Sequence, residues 1–150
     1  MKWVTRERPK IDRIACPWLI ARFIDPAAEF LYVPAPDVLA IAKETGATPY
    51  DIPGVEYGHR GELCSFDTFL DKHDLNAPAL RQLAVIVRGA DTDRLDLAPQ
   101  CAGLLALSLG LSKNFADDHE MLRQGMVMYD ALYTWAKKTQ DESHNWSCPA

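Results

Sequence analysis

Long apolar runs, paired cysteines and the signatures of the common enzyme families are all missing from this sequence. No segment approaches the roughly 20 consecutive apolar residues of a membrane-spanning helix, and the N-terminus has no apolar stretch of a secretory signal, so the chain is expected in the cytoplasm and away from the membrane. Cys16, Cys64, Cys101 and Cys148 form no CxxC pair, which excludes a zinc ribbon and a thioredoxin-type redox motif; in a reducing compartment they are expected as free thiols. There is no GxGxxG, no Walker lysine loop, no GxSxG elbow and no HExxH. Basic residues are the minority, 16 Lys and Arg against 21 Asp and Glu. The resulting formal charge of −5 argues against specific duplex-DNA binding by this chain alone, because affinity for the phosphate backbone needs clustered cations. Repeats and low-complexity tracts are also absent.

What is present is the composition of one ordinary soluble domain: 150 residues, 48% hydrophobic and 25% charged. The patterning predicts an α+β fold, mostly α-helical, with about six helices and one small two-stranded sheet. A first helix is expected from Pro17, with proline at the first position and Cys16 as the cap, through Trp18, Leu19 and Phe23 to the stop at Asp25-Pro26. EFLYVP alternates like a strand, DVLAIAKETG reads as a helix from an Asp37 cap to Gly46, and TPYDIPGV supplies the second strand. EYGHRGEL has no apolar period and reads as an exposed loop. Ser65 caps FDTFLDKHD, Pro78 opens ALRQLAVIVRGA, and QCAGLLALSLGLS is so apolar that it is expected to be a buried core helix carrying a structural Cys101. Asp117 and Glu120 match a capping box for the last helix. Residues 1–139 are taken as the domain and 140–150 as a disordered tail containing Cys148. The opening KWVTRERPKIDR, five basic residues against two acidic, reads as a solvated arm or a small anion-facing patch.

Three polar segments hold the candidate chemistry. In DRIACPWLI, a Cys16 thiol at a helix start with Arg13 nearby would have a lowered pKa and could meet an anion or a metal; the competing reading is a small apolar packing group. His59, Glu62, Cys64 and Asp67 place four metal-ligand types within nine residues. Asp91 and Asp93, at i and i+2, would point the same way in an extended segment and suit a hard or borderline divalent cation, and His119 is a further candidate. Each has a plain alternative: turn carboxylates bonding their own backbone, a solvent ion pair of Glu62 with Arg60, an exposed His119 in a helical first turn. A nucleophilic pair of Cys16 with His59 or His119 also stays open, since such partners meet in space rather than in sequence.

The blocks WVTRERPKIDRIACPWLIARFIDP, IPGVEYGHRGELCSFD and RGADTDRLDLAP, followed by DDHEML and MYDALY, resemble the C-terminal domain of the chromate-resistance ChrB family from Trp3 to about Lys137. The resemblance implies a protein that works alongside a chromate efflux transporter, ChrA. Longer members carry an additional N-terminal region and act as chromate-responsive regulators, so this chain is expected to hold the sensing or auxiliary part without the operator-binding part. Chromate is a tetrahedral dianion, which a helix start with Arg13 and Cys16 would suit. The leading expectation is a cytosolic chromate-resistance accessory or sensor domain binding an oxyanion or a metal ion. The alternatives are a metal-dependent enzyme using His59, Asp91, Asp93 and His119, and a structural or homo-oligomerising module without a ligand.

Overall fold

The computed structural model describes residues 1–149. Its six helices agree with the expectation, but the sheet has three strands rather than two, all parallel. Strand β1 (Lys2–Arg6) lies in the centre, between β2 (Glu29–Val33) and β3 (Thr48–Pro49). Trp3 pairs with Phe30 on one side and Thr48 on the other. The overlooked strand is the one read as a basic arm. A central parallel strand is covered on both faces, so Trp3, Val4 and Thr5 are all buried without alternation, and the charged residues after it disguise its start. Trp3 joins the main core, meeting Tyr57 and Phe69 at 5.2 and 5.3 Å between ring centres, while Val4 belongs to a second small cluster with Val38 and Ala47 under helix α2 (Val38–Thr45). Gly46 closes α2 in the left-handed conformation at φ 75°, as its position after the helix predicts.

Helix α1 (Asp12–Leu19) begins five residues before the expected start, so Cys16 lies inside it and is fully buried rather than capping it. Pro17 sits in the helix interior, where it has no N–H to give to the carbonyl four residues back. That carbonyl, on Arg13, is satisfied instead by the Tyr32 hydroxyl of β2 at 2.8 Å. A single tertiary hydrogen bond thus replaces the missing helical one. The chain continues through a wider π turn (Ile20–Ile24), after which Asp25 binds the N-terminal amine.

Helix α3 (Ser65–Lys72) is capped by Cys64 rather than by Ser65: Asp67 accepts from the Cys64 backbone N–H at 3.1 Å, and the Cys64 thiol points to the same carboxylate at 3.3 Å. Helix α4 (Pro78–Asp91) starts with its proline at the first position and lays Leu80, Leu83, Ala84, Ile86 and Val87 into the core. Helix α5 (Cys101–Asn114) is not the buried helix its composition suggested. Cys101, Leu104 and Ser108 point inward, whereas Leu107 and Leu109 are 58% and 48% exposed. A groove of about 360 Å³ runs between α5 and helix α6 (Asp118–Thr134), lined by Gly103, Leu107, Met128 and Leu132 among others. Asp117 caps α6 as expected, accepting from the Glu120 N–H at 2.8 Å. Helix α6 crosses α1 closely at Gly125, where a Cβ would collide with Ile14. Of the segment set apart as a tail, residues 142–149 form no helix or strand and are exposed; Ala150 lies outside the described residues. No helix among the described residues is long and apolar enough to cross a membrane.

Candidate metal centre

Four segments end at one point beside the central strand. Asp12 is the first residue of α1, Asp51 follows β3, His59 stands in the loop before α3, and Asp91 is the last residue of α4. The His59 Nε2 atom lies 3.0 Å from Asp91 Oδ2, 3.2 Å from Asp51 Oδ1 and 3.5 Å from Asp12 Oδ2. One candidate ligand atom from each of the four residues falls within 4.8 Å of all the others. His59 and Asp91, both singled out in the sequence as ligand candidates, meet although α3 and all of α4 but its last residue lie between them.

Local structure fixes each member. Asp12 is wholly buried and its oxygens accept from the backbone N–H groups of Ser65 (2.7 Å) and Phe66 (3.2 Å), so it also serves the unpaired donors at the start of α3. Asp51 adopts a left-handed backbone at φ 52°, one of the few conformations in which an L-residue other than glycine is helped by being an aspartate. Its Oδ1 accepts from the Ser65 hydroxyl at 2.7 Å; its Oδ2 faces Arg6 Nη2 at 3.2 Å and Arg13 Nε at 3.6 Å. The loop carrying His59 is pinned to α3, because Thr68 Oγ1 donates to the Gly58 carbonyl and accepts from Arg60. A tight two-way pairing of Arg60 with Leu63 closes the far side of that loop.

The electrostatics follow from this crowding. Burial drives the Asp12 carboxyl up to about 7, opposed by its bond to His59 and reinforced by the charges of Asp51 and Asp91. The hydrogen bonds to Asp12, Asp51 and Asp91 push His59 up to about 12, so without a metal ion the imidazole is a cation held among carboxylates. Burial raises the Cys16 thiol well above its ordinary value, with the Asp12 charge adding to the shift. That is the reverse of the thiolate expected for a residue at a helix start.

The remaining sequence candidates lie elsewhere. Arg13 is close to the cluster but engaged: its Nη1 donates to the carbonyls of Arg6 and Glu7, both at 3.0 Å, and its Nε faces Asp51. Glu62 is exposed and lines a different cleft with Arg88 and Arg94. Cys64 is buried against Asp67, whose other oxygen takes Arg88 at 2.6 Å. Asp93 is not among the converging ligands, and at φ 57° it is itself left-handed, so the extended segment that would have aligned it with Asp91 is not formed. His119 packs against the Tyr32 ring at 5.5 Å. Sequence reasoning overlooked Asp12 and Asp51. Asp12 lies inside the DRIACPWLI stretch, yet a first-turn carboxylate has a sufficient local explanation, and Asp51 sits among prolines and glycine like any turn residue.

The protein is therefore a helix-rich α+β domain in which one imidazole and three carboxylates from four separate segments converge beside a parallel sheet. The chain belongs to the family described as the C-terminal domain of ChrB, whose profile matches residues 3–136. It is 31% identical over 134 residues to Protein ChrB of Cupriavidus metallidurans, an alignment that covers 89% of this chain and 40% of that protein. The chain thus spans well under half the length of that relative. No solved structure matches it.

Proposed function

We propose that this chain serves chromate resistance as a cytoplasmic accessory or sensor domain, and that the ligand it holds is a divalent cation bound by Asp12, Asp51, His59 and Asp91. The observation that carries this reading is the convergence of three carboxylates on one imidazole nitrogen. A cation is the natural occupant of such a point, since three buried or half-buried carboxylates repel each other and each brings one oxygen to it. An N/O₃ donor set suits manganese, iron or zinc better than the soft ions that thiolates select. The thiols are not among the converging donor atoms: Cys64 points to Asp67, and Cys16 donates to Asp12 Oδ1 at 3.6 Å from the buried side. In the absence of metal the His59 imidazolium plays the cation's part and keeps the carboxylates together; binding exchanges its proton for the ion.

A metal-dependent enzyme is the second reading, favoured by the 43% exposure of the His59 side chain on a cleft of about 300 Å³. The test common to both is elemental analysis of the chain dialysed against manganese, iron(II) or zinc. One equivalent of metal is expected in the wild type, with none retained by His59→Ala or by Asp91→Asn. Binding that survives both substitutions would end the assignment. The acidic charge leads to a companion expectation: no sequence-dependent shift of duplex DNA in a gel at about 150 mM salt.

A further inference from the structure

Helix α5 is apolar beyond what its own chain uses. Residues 101–112 carry no charge, and residues 124–136 on the neighbouring α6 carry one, Asp130, which is turned away to Trp18 Nε1 at 2.8 Å and to Arg22. Leu107, Leu109 and Val127 project from this helix pair into solvent, at 58%, 48% and 66% exposure, beside the groove of about 360 Å³ between α5 and α6. Two glycines of α5 have no explanation within the chain. Gly89 and Gly125 sit where a Cβ would strike a neighbour, but a Cβ on Gly103 or Gly110 would meet nothing within 4 Å. Both lie in the helix interior, where glycine is the poorest helix former after proline, so they cost stability and gain no contact in the single chain. With Ala106 they form, at i, i+3 and i+7, a bare exposed crest on the outer side of α5. Such a crest lets a second helix approach closely.

We infer that this face joins two copies of the chain in a two-fold dimer, with the α5 crest of each copy lying antiparallel across that of its partner. The dimer does not depend on an ion at the four-residue cluster. A second copy suits the face because knob and hole occur together on it. Leu107 stands out beside the groove that Gly103 opens, so a two-fold axis passing between residues 106 and 107 turns the Leu107 of each copy toward the other's groove and sets Gly103 opposite the partner's Gly110. The charge pattern agrees. Close to such an axis a charged side chain would meet its own like charge, and the centre of the face has none; Lys113, Glu120, Arg123 and Lys138 stand at its edges as a polar rim. A partner of opposite charge would find nothing at the centre to pair with. The size is also adequate: two helices about 20 Å long and about 9 Å apart give a footprint of roughly 400 Å². As corrugated accessible surface, with the rim included, this approaches the roughly 800 Å² that each partner of a stable interface buries.

Sedimentation equilibrium of the full chain from low to high micromolar concentration reads the association directly. A reversible equilibrium between the single chain and twice its mass is expected in the wild type. Leu107→Glu should weaken it at least about tenfold, since the two new carboxylates face each other near the axis, while the far-UV circular dichroism stays that of the wild type because the side chain is mostly in solvent. Gly110→Leu separates the interface from the fold. It should raise the Tm of the dilute, dissociated chain, because leucine is the better helix former and nothing obstructs it, yet weaken association by a similar factor. Leu39→Glu, which alters a leucine 60% exposed on α2, should associate like the wild type. Ala106→Cys in a Cys148→Ser background should give a disulfide between copies on mild oxidation, because a residue beside a two-fold axis faces its own equivalent. A chain that stays monomeric throughout overturns the dimer, and association that survives Leu107→Glu or Gly110→Leu overturns this face as its site. Equal weakening by Leu39→Glu would reveal unspecific apolar contact and overturn it likewise, and a dimer that forms no disulfide at residue 106 overturns the antiparallel crossing.

Discussion

Replacing Asp12 by alanine removes the acceptor from two backbone N–H groups at once, those of Ser65 and Phe66, in a place that water does not reach. Each buried donor left unpaired costs about 1–3 kcal/mol, so Asp12→Ala is expected to destabilise the metal-free chain by about 2–6 kcal/mol. Loss of the raised carboxyl works in the opposite direction, by relieving repulsion with Asp51 and Asp91, which places the outcome toward the lower end of that interval. For a domain of this length 1 kcal/mol moves Tm by about 2–4 °C, giving a fall of roughly 5–10 °C. Asp91→Asn provides the contrast. Asp91 meets His59 through one oxygen, so its amide variant should alter the metal-free stability by less than about 1 kcal/mol while abolishing metal uptake. Urea denaturation at constant m, alongside metal analysis, measures both quantities for both variants. Equal stability losses in Asp12→Ala and Asp91→Asn would refute the role of Asp12 as acceptor for the first N–H groups of α3, and metal retained by either variant would refute the replaced residue's assignment as a ligand.

The charge state of the cluster gives a pH prediction. Asp12 is raised from 3.8 to about 7 and His59 from 6.5 to about 12, so the folded metal-free chain binds more protons than the unfolded one; stability from Asp12 falls between about pH 4 and 7, and that from His59 is complete below about 6.5 and lost toward 12. Metal must displace those protons, so the rise in Tm on adding manganese should grow from about pH 6 to about pH 8; an increment that shrinks over that interval contradicts the scheme. Alkylation with iodoacetamide at neutral pH should label Cys148 and leave Cys16, Cys64 and Cys101 intact until denaturant is added, and rapid labelling of Cys16 in the native chain would restore the reactive thiolate that the structure argues against. Gly89→Ala should cost about 1–3 kcal/mol in a thermal melt despite alanine's better helix propensity, because the new Cβ would strike Cys101 Sγ and the Arg94 carbonyl; a neutral or stabilised variant would show that the contact between α4 and the α5 start yields easily.

Most of the helices were legible because their signals are local: Gly46 after α2, Pro78 at the start of α4 and Asp117 before α6 each act within one turn. Strand β1 was not, since its identity depends on being covered from both sides, a property of the assembled layers. The early start of α1 was hidden by Pro17, whose cost is removed by Tyr32 from another strand. Helix α5 misled in the other direction: its residues are apolar all round, yet only one stripe finds partners within the described residues. At the site, His59 and Asp91 stood out as ligand types in loops or at a helix end. Asp12 and Asp51 did not, because each does a second, structural job that accounts for its presence.

The origin of the four cluster residues in four segments, from the first turn of α1 to the last turn of α4, has a kinetic meaning. No subset of neighbouring elements can assemble the donor set, so an ion has little to hold until the sheet, α1, α3 and α4 have all docked, and the loops between them must close first. Occupancy then acts on the whole domain as one cooperative unit. A bound ion would slow global unfolding and raise hydrogen-exchange protection in α1, α3 and α4 together, rather than stiffening the His59 loop alone. The centre is in this sense a latch on the completed fold, and its state reports whether the entire chain is in place.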